Sequence, residues 1–592
     1  MASGPSSSRT WLPYTIAIIA GIAVMGAAYV VVKTDTFGAD RSHCVQLEVV
    51  SSTEKDVLVR ELAQRYGAAD REFDDGLCAS ITVDGVTSGK AMESLDKGWA
   101  AAQPKIPQPQ VWLPTSSLWT GQLQLRDKAA GRPAQTPGKF ESIANSPLVI
   151  AMKQPKGELV QGKGALGWND ILGLSGDQGW AAFGKPEWGR FTFGKDNPTL
   201  STSGLAATIA TYYAAMGTSS DLMTVDLAKP SVTKFVREIE ANVSHYSDDV
   251  VDLLRNLAAN DLTTVETDAP QTDVSAIVMQ EELVYLYNEG KLSPKYGEKP
   301  KVPLVALYPK EGTFNLDHPY VVLPTADARQ QAAAKDFLAF LQEPEQQRSF
   351  ADIGFRDHER TASKSLFESL RGRDNAELSY FDAPDPTVVQ AILGGWSTLR
   401  KKANILMAVD TSGSMTSMIG NQTRLQVAVG AATNGVNLLN DEDRVGLWSF
   451  SSVTPRRGKT PYSNEITLGR FDSRAFGGKL KTLKPEGGTA LYATVRAAHQ
   501  YVLDHYDRNR INAVVVLTDG KNEYPPDNDL KKLLKDITLD PDRPVKIFCI
   551  AFDDQSDLET LTRIAKATGG KAFDAQDPTK INEAFVKLVS AF

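Results

Sequence analysis

The sequence predicts an α/β protein in which two modules built on parallel sheets follow one apolar N-terminal segment. From residue 44 onward, short apolar strands alternate with amphipathic helices, which is typical of mostly parallel α/β folds. The apolar runs 405–409 and 514–517 are typical of buried parallel strands. These patterns divide the chain into a tail (1–10), a transmembrane segment (11–33), a first module (44–365), a linker (366–402) and a second module (403–592).

The composition allows several ordinary globular domains and argues against two classes of function. The chain has 592 residues, of which 42% are hydrophobic and 23% charged, enough for several domains of roughly 100–200 residues each. A net charge of −8 argues against bulk nucleic-acid binding. With three Cys, six His and no CxxC or HExxH pattern, the sequence also argues against a zinc site.

The run 10–32 carries no charged residue and is long enough to span a hydrocarbon core of about 30 Å. The alternative is a cleaved signal peptide, whose apolar region is usually about 7–15 residues and ends in a small-x-small site. This run is longer and ends in Tyr29 and three valines. We therefore expect an uncleaved, single-pass anchor in the cell membrane, with the body of the chain on the extracellular side.

The cysteines leave two interpretations open. Cys44 and Cys78 bracket the first strand and helix after the anchor, so they form a disulfide if they lie outside the cytoplasm. Otherwise they are two buried thiols. Cys549 lies within the apolar strand 545–552 and is expected to be an inert core thiol.

The second module carries oxygen-bearing side chains directly after its two apolar strands. Asp410, Ser412 and Ser414 follow the first strand, and Asp519 follows the second, with Thr489 after Gly487 and Gly488 between them. Mg²⁺ prefers about six oxygen ligands and takes one or two carboxylates from protein. The alternative role of such residues is to cap the next helix. Because all three segments occur at strand-to-helix junctions, the sequence predicts a divalent-metal site.

These five residues resemble the metal-ion-dependent adhesion site of a von Willebrand factor type A domain, and the segment 443–450 resembles that family's second strand. The resemblance covers about residues 400–592. It implies a doubly wound, Rossmann-like sheet that binds Mg²⁺, or Mn²⁺ or Ca²⁺. It also implies a protein partner that offers an acidic group to the metal, and usually no catalysis.

The first module repeats one pattern, in which a strand is followed by a hydroxyl-rich loop and then by a helix. Ligands of open α/β sheets bind at such strand ends, and helix N-termini with hydroxyls suit oxyanions. Capping alone would also explain the hydroxyls. The candidate ligand-binding residues are Ser51, Ser52, Thr115, Ser116, Ser117, Ser201, Thr202, Ser203 and Glu281. Glu281 is either an acid in the ligand site or the start of a solvated helix face.

The arrangement of the first module resembles a bacterial extracellular solute-binding protein with two lobes and two crossovers. The segment 142–152 resembles the family's crossing strand, 307–320 its return, and 326–341 its closing helix. The resemblance implies a periplasmic-binding-protein-like module with a small-molecule ligand in the cleft between its lobes.

Together these features predict a membrane-anchored bacterial cell-surface binding protein with a metal-dependent recognition domain. An alternative is the solute receptor of an ABC-type importer, with the A domain as its docking module. A more remote alternative is a metal-dependent hydrolase. The sequence has no GxSxG elbow, no Walker loop and no His close to the metal residues, so we expect no enzyme.

Overall fold

The computed structural model describes most of the chain from residue 43 onward. Left out are 75, 177, 248–249, 264–273, 373–377, 420, 437–438, 440, 454–459, 541, 553–556, 576–580, 582–583, 585–587 and 589–592. The transmembrane segment expected at 11–33 lies outside the described residues. Within the described part, no helix combines the length and the apolar character that crossing a bilayer requires.

The described residues form an alternating series of strands and helices. The strands are β1 (Val45–Ser51), β2 (Ala79–Gly85), β3 (Val111–Leu113), β4 (Glu141–Ser142), β5 (Ser146–Lys153), β6 (Phe193–Asp196), β7 (Val243–Ser247), β8 (Ala276–Gln280), β9 (Leu304–Leu307), β10 (Asn315–Leu316), β11 (Pro319–Val322), β12 (Lys402–Asp410), β13 (Met418–Ile419), β14 (Gln422–Thr423), β15 (Arg444–Phe450), β16 (Tyr462–Arg470), β17 (Arg510–Thr518), β18 (Val545–Ala551) and β19 (Ala572–Asp574). The helices are α1 (Asp56–Ala68), α2 (Ser88–Lys97), α3 (Trp99–Ala102), α4 (Ser117–Ala129), α5 (Gln154–Gly162), α6 (Trp168–Leu174), α7 (Thr202–Met216), α8 (Thr224–Leu227), α9 (Pro230–Ala241), α10 (Val250–Thr263), α11 (Glu281–Asn288), α12 (Ala328–Leu341), α13 (Pro344–Ala351), α14 (Lys364–Leu370), α15 (Pro386–Leu399), α16 (Arg424–Val436), α17 (Ser473–Leu480), α18 (Leu491–Asp504), α19 (Leu530–Asp536) and α20 (Leu558–Ala567). Short 3₁₀ helices lie at Gly179–Phe183, Pro186–Trp188 and Gly413–Thr416.

The first module consists of two lobes, each with its own sheet. Lobe one has the strand order β2-β1-β3-β11-β4, and lobe two has the order β10-β5-β8-β6-β7 with β9 paired to β5. The chain passes from lobe one to lobe two between β4 and β5, and returns between β10 and β11. The α/β architecture expected for this module, with two crossovers, is therefore the one observed.

The segment expected to be a linker contains a helix that is part of the core. In α15, the side chains of Val389, Ile392 and Trp396 are buried, and the Trp396 ring lies 5.0 Å from the Tyr246 ring of lobe two. The Pro386 carbonyl accepts a 2.7 Å hydrogen bond from Gln122 Nε2 of lobe one. Because α15 contacts both lobes, one buried apolar cluster continues from the first module into the second.

The second module is a six-stranded sheet of order β16-β15-β12-β17-β18-β19, in which only β16 is antiparallel to its neighbour. The strand β12 lies between β15 and β17, and its residue Asp410 is level with Phe450 of β15. Helices cover both faces, as two buried clusters on opposite sides of the sheet indicate. This doubly wound arrangement brings the ends of β12 and β17 to one edge.

The structure contains a disulfide between Cys44 and Cys78, which lie 34 positions apart. The two residues precede the adjacent parallel strands β1 and β2, and the Val45 N–H donates a 2.8 Å hydrogen bond to the Cys78 carbonyl. In the chain-entropy account of disulfides, closing a loop of this length stabilises the fold by about 3–4 kcal/mol. The remaining cysteine, Cys549, is fully buried, and burial raises the pKa of its thiol to about 12.

We predict a three-step pattern of thiol labelling. Native protein should take up no iodoacetamide, because Cys549 is buried and Cys44 is bonded to Cys78. Protein in denaturant without reductant should take up one label, and protein in denaturant with reductant should take up three, as counted by intact mass. The variant Cys549→Ala should lose only the label gained in denaturant. Labelling of Cys44 or Cys78 without reductant would contradict the disulfide.

Candidate functional site

The edge of the second module's sheet brings the predicted metal residues together. Asp410 is the last residue of β12, and Asp519 follows the last residue of β17. The side chains of Asp410, Ser412, Thr489 and Asp519 are almost fully removed from solvent, whereas Ser414 is exposed. Since neighbouring parallel strands end at the same edge, two segments about a hundred positions apart meet here.

A chain of hydrogen bonds connects four of these residues. The Ser412 N–H donates to Asp410 Oδ1 over 2.8 Å, and the hydroxyls of Ser412 and Ser414 are 2.9 Å apart. The Ser414 hydroxyl donates to Asp519 Oδ1 over 2.8 Å. On the other side of Asp410, the Thr518 hydroxyl donates to Oδ2 over 2.6 Å. The oxygens of one loop and of two strand ends therefore lie within contact of one another.

The loop that carries Thr489 is held against the same edge. The Gly413 N–H donates a 2.7 Å hydrogen bond to the Gly487 carbonyl, and the Glu523 N–H donates one of the same length to the Thr489 carbonyl. Gly487 has a φ of +75°, a conformation that favours glycine. A Cβ atom at Gly520 would lie 2.8 Å from Thr489 Oγ1, so the Thr489 hydroxyl packs directly against the backbone that follows Asp519.

Arg424 is a charged residue at this edge that the sequence pattern did not reveal. It is the first residue of α16, and its Nη1 lies 3.0 Å from Asp519 Oδ2 in a largely buried ion pair. Nothing in the spacing of Arg424 points to a carboxylate 95 positions later, because only the packing of α16 against the sheet edge makes the contact. The guanidinium therefore supplies positive charge to the predicted metal residues.

The electrostatics of this edge favour a cation. Burial and the negative charge of Asp519 together raise the pKa of Asp410 to about 7, although the hydrogen bond from Thr518 acts to lower it. Two carboxylates and three hydroxyls form an all-oxygen donor set, which suits a hard divalent ion. The residues present thus fit the ion that the sequence predicts, and Asp410 and Asp519 would supply the negative charge.

The cleft between the lobes is a second candidate site. Among the described residues, its lining includes Ser52, Thr115, Ser201, Thr202 and Ser203, all of which the sequence indicated. The lining does not include the other predicted residues, Ser51, Ser116, Ser117 and Glu281. The free volume between the lining side chains is about 30 Å³, close to the volume of one water molecule.

Contacts between the lobes explain why the cleft is so narrow. The Trp119 Nε1–H of lobe one donates a 2.8 Å hydrogen bond to the Thr202 hydroxyl of lobe two. At Gly89, at the start of α2, a Cβ atom would lie 2.8 Å from the Leu200 carbonyl oxygen and 2.9 Å from that of Thr199. Glycine at this position therefore allows the two backbones to approach, and the lobes are closed on each other.

The hydroxyls of the cleft already donate to carboxylates of the chain itself. Ser52 and Thr115 donate to Glu54 Oε1 over 2.6 and 2.8 Å, and Ser201 donates to Asp196 Oδ2 over 2.6 Å. Glu54 precedes α1, which begins at Asp56. Glu54 turns its carboxylate into the cleft, where it accepts the hydrogen bonds that an oxyanion would otherwise receive.

Glu54 is held in the cleft by a buried lysine. Lys55 is 1% exposed, and its ammonium lies 3.4 Å from Glu54 Oε1 and 3.1 Å from the Leu113 carbonyl oxygen. Burial alone would raise the pKa of Glu54, but the Lys55 charge and the hydrogen bond from Ser52 contribute to lowering it to about 2. Burial lowers the pKa of Lys55, an effect that Glu54 partly offsets. The two side chains therefore form a buried ion pair.

Glu281 has neither of the two roles that the sequence left open. It is fully buried, and its carboxylate receives hydrogen bonds from Arg356 Nε and Nη2 over 2.6 and 3.0 Å. The Tyr308 hydroxyl also donates to it. Glu281 is thus neither on a solvated face nor among the residues that line the cleft, and it joins α11 to the segment that follows α13.

Comparisons with known proteins bear on both modules. The profile of the bacterial extracellular solute-binding protein family matches residues 47–356, and the profile of the von Willebrand factor type A domain matches residues 405–521. Two uncharacterized proteins of Mycobacterium tuberculosis, one from each of two strains, are 24% identical over 525 residues. Each match covers 86% of this chain and 71% of the relative.

Solved structures of both kinds are similar to parts of the chain. A von Willebrand factor type A structure from Catenulispora acidiphila has 22% identity and a TM-score of 0.26, covering 32% of this chain and 42% of that one. A periplasmic binding protein from Actinobacillus pleuropneumoniae has 14% identity and a TM-score of 0.39, covering 60% and 99%. At such low sequence identity, the similarity to these structures concerns the fold alone.

We predict that Glu54→Gln destabilises the first module. The change leaves the Lys55 ammonium buried without a counter-charge, which should lower the free energy of unfolding by about 3–5 kcal/mol. The double variant Glu54→Gln/Lys55→Met should recover much of this loss, because both charges are then absent. The matched control is Glu93→Gln, which removes an exposed carboxylate paired with Lys97 in the same lobe. Urea unfolding of the four proteins would measure the effect.

The pH dependence of stability provides an independent check of the same pair. Since the folded state lowers the pKa of Glu54 from 4.5 to about 2, its ionised form stabilises the fold above pH 4.5. That contribution disappears as the pH falls from 4.5 to 2. The slope of stability against pH in this window should therefore be smaller in Glu54→Gln than in the parent chain, and equal slopes would contradict the pairing.

Proposed function

Since this chain belongs to the bacterial extracellular solute-binding protein family, we propose that it is a membrane-anchored surface protein that recognises a partner through a divalent ion. Its two modules make it a periplasmic or extracellular binding protein, and both are typically non-catalytic binding modules. The proposal assigns recognition to the A domain and anchoring to the segment 11–33. It assigns a small-molecule ligand to the cleft of the first module.

One observation carries the proposal. Five residues from three separate segments lie together at one sheet edge: Asp410, Ser412, Ser414, Thr489 and Asp519. All of them except Thr489 are connected by hydrogen bonds of 2.8–2.9 Å. Such convergence of two carboxylates and three hydroxyls is not needed to cap helices. It supports a site that holds a divalent ion and leaves part of its coordination shell to another molecule.

Each residue would have a distinct role at this site. Asp410 and Asp519 would provide charge, and the hydroxyls of Ser412, Ser414 and Thr489 would provide neutral oxygens. When bound, the ion would supply a positive centre that accepts a carboxylate from a protein partner. Arg424 would have to release Asp519 Oδ2 as the ion takes over its neutralisation. Arg424 and the ion therefore compete for the same carboxylate.

The cleft supports the role of importer receptor less well. Its hydroxyls already donate to Glu54 and Asp196, and its free volume of about 30 Å³ requires the lobes to separate before a solute enters. A thermal-shift screen against metabolites distinguishes the two roles. A receptor for an importer would gain several degrees from one solute and little from divalent ions, whereas the surface protein proposed here would gain more from divalent ions than from a cleft ligand.

We predict that two substitutions weaken divalent-ion binding and that a third tightens it. Asp410→Ala should abolish Mg²⁺ and Mn²⁺ binding, because it removes a direct anionic ligand, and Ser412→Ala should weaken it by about tenfold, since water can replace one neutral oxygen. Arg424→Gln should instead tighten binding by several-fold, because the ion no longer displaces a guanidinium from Asp519. Isothermal titration of the full chain would measure these affinities.

The control for these titrations is Asp441→Asn. Asp441 is an exposed carboxylate of the same domain, paired with the equally exposed Arg470, so its removal should leave the affinity unchanged. Unchanged affinity in Asp410→Ala would mean that the five oxygens do not form one site, and the recognition role of the A domain would be abandoned.

We also predict that the N-terminal segment stays attached to the mature protein. The uncharged run 10–32 is longer than the apolar region of a signal peptide, and it ends in Tyr29 and three valines, not in a small-x-small site. N-terminal sequencing of protein from membranes should therefore find no cleavage after the run. A mature N-terminus anywhere between Ala20 and Asp40 would show that the segment is a signal peptide.

A further inference from the structure

A cavity of about 460 Å³ lies between lobe two and the A domain, away from both sites described above. Its A-domain wall is at the amino ends of the strands, where Lys401 precedes β12, Arg510 begins β17 and Lys546 is the second residue of β18. The predicted metal residues follow the opposite ends of β12 and β17. The lobe-two wall includes Arg190, which precedes β6, and the end of α9.

The lining of this cavity is strongly basic. Five cationic side chains line it, against two acidic ones, Glu238 and Asp542. The five are Arg190, Lys401, Arg508, Arg510 and Lys546, and we call this space the basic cavity. A local excess of positive charge stands out in a chain whose net charge is −8. The potential inside a concave, partly enclosed site of one sign attracts ions of the opposite sign.

Within the described part of the chain, two of these cations have no acidic side chain at ion-pair distance. Neither Arg190 nor Lys401 forms an ion pair with an acidic residue that the structure describes, whereas Arg510 Nε lies 3.3 Å from Asp507 Oδ2. Burial and the positive charges of Arg190 and Lys546 together lower the pKa of Lys401 to about 8, although the charge of Asp507 acts to raise it. Lys546 is itself only 2% exposed. Positive charges placed together at a partly buried position are unfavourable unless an anion offsets them.

The size and the neutral groups of the basic cavity suit a small molecule. Its volume is within the range of about 300–1,000 Å³ that is typical of ligand sites, which often lie between domains. Tyr506, Asn509 and Asn242 add a hydroxyl and two amides to its lining. Arginine and lysine side chains bind phosphate and carboxylate oxygens through charge-assisted hydrogen bonds.

We propose that the basic cavity binds a small oxyanion with two or more negative charges, which bridges lobe two and the A domain. Arg190 contacts the oxyanion from lobe two, and Lys401 and Lys546 contact it from the A domain. The bound oxyanion neutralises cations of both modules at once and so holds the modules together. This site is independent of the divalent ion and of the cleft.

The test is isothermal titration of the full chain, freed of divalent ions by dialysis, with inorganic pyrophosphate and with citrate at constant ionic strength. We expect saturable binding of one molecule per chain for at least one probe. Arg190→Gln and Lys401→Gln, which lie on opposite walls, should each weaken it by about tenfold or more. The matched control Lys531→Gln removes the same charge from an exposed helical position outside the cavity lining and should leave the affinity within about twofold.

The outcomes separate the possibilities cleanly. Binding of pyrophosphate alone supports the proposal with a phosphate ligand, and binding of citrate alone supports it with a carboxylate ligand. The proposal is overturned if neither probe binds saturably, or if Lys531→Gln weakens binding as much as Lys401→Gln does. An effect of Lys401→Gln without one of Arg190→Gln overturns the bridging role. Melting temperatures measured in chloride show whether each variant folds. If Lys401→Gln does not fold, the affinity of Arg190→Gln for the probes decides the test. Asp410→Ala should bind pyrophosphate or citrate with the affinity of the parent chain. The test therefore stands even if the proposed divalent-ion site is wrong.

Discussion

Glu54, Asp410 and Asp519 are carboxylates that the fold removes from water at or just beyond the ends of parallel strands. Removing a carboxylate from water is unfavourable unless a counter-charge or several donors accompany it. Lys55 with two hydroxyls does this for Glu54, and Arg424 with Ser414 does it for Asp519. Asp410 has hydrogen-bond donors but no ionic partner among the described residues, and burial accordingly raises its pKa. The two candidate sites differ in how their carboxylates are neutralised. In the cleft, Glu54 has its own counter-charge in Lys55, whereas at the A-domain site Arg424 is one cation beside two carboxylates.

A further buried ion pair stabilises the connection between the two modules. Arg400, directly after α15, donates to Asp443 Oδ2 over 2.7 Å, and the Ala403 N–H donates to Oδ1 over the same distance. Across the connection, the Lys401 N–H donates to the Tyr246 hydroxyl of lobe two. These contacts seat the first strand of the A domain against lobe two. They therefore also form the basic cavity, whose walls come from both modules. The connection between the modules is a packed interface and not a flexible linker.

Several features of the sites could be read from local patterns. Asp410, Ser412 and Ser414 lie on one loop after one strand, so their proximity follows from five consecutive residues. The hydroxyl-rich loops at Ser52, Thr115 and Ser201 lie at the cleft, because strand ends in a parallel sheet share an edge. Local patterns did not distinguish which hydroxyls face the cleft. They also did not show that Glu54 would turn away from helix α1 to accept hydrogen bonds from Ser52 and Thr115.

The sequence by itself determined the two modules, their order, the α/β class and the strand ends that carry polar residues. These follow from hydrophobic periodicity and from short segments, which depend on neighbouring residues alone. Tertiary structure decided the partners of the buried charges, the closure of the lobes, the place of α15 in the core and the existence of the basic cavity. Arg424 with Asp519, Glu281 with Arg356, and Arg190 with Lys401 are each brought together over 75 or more positions. No local pattern encodes such contacts, because they depend on how complete helices and sheets pack.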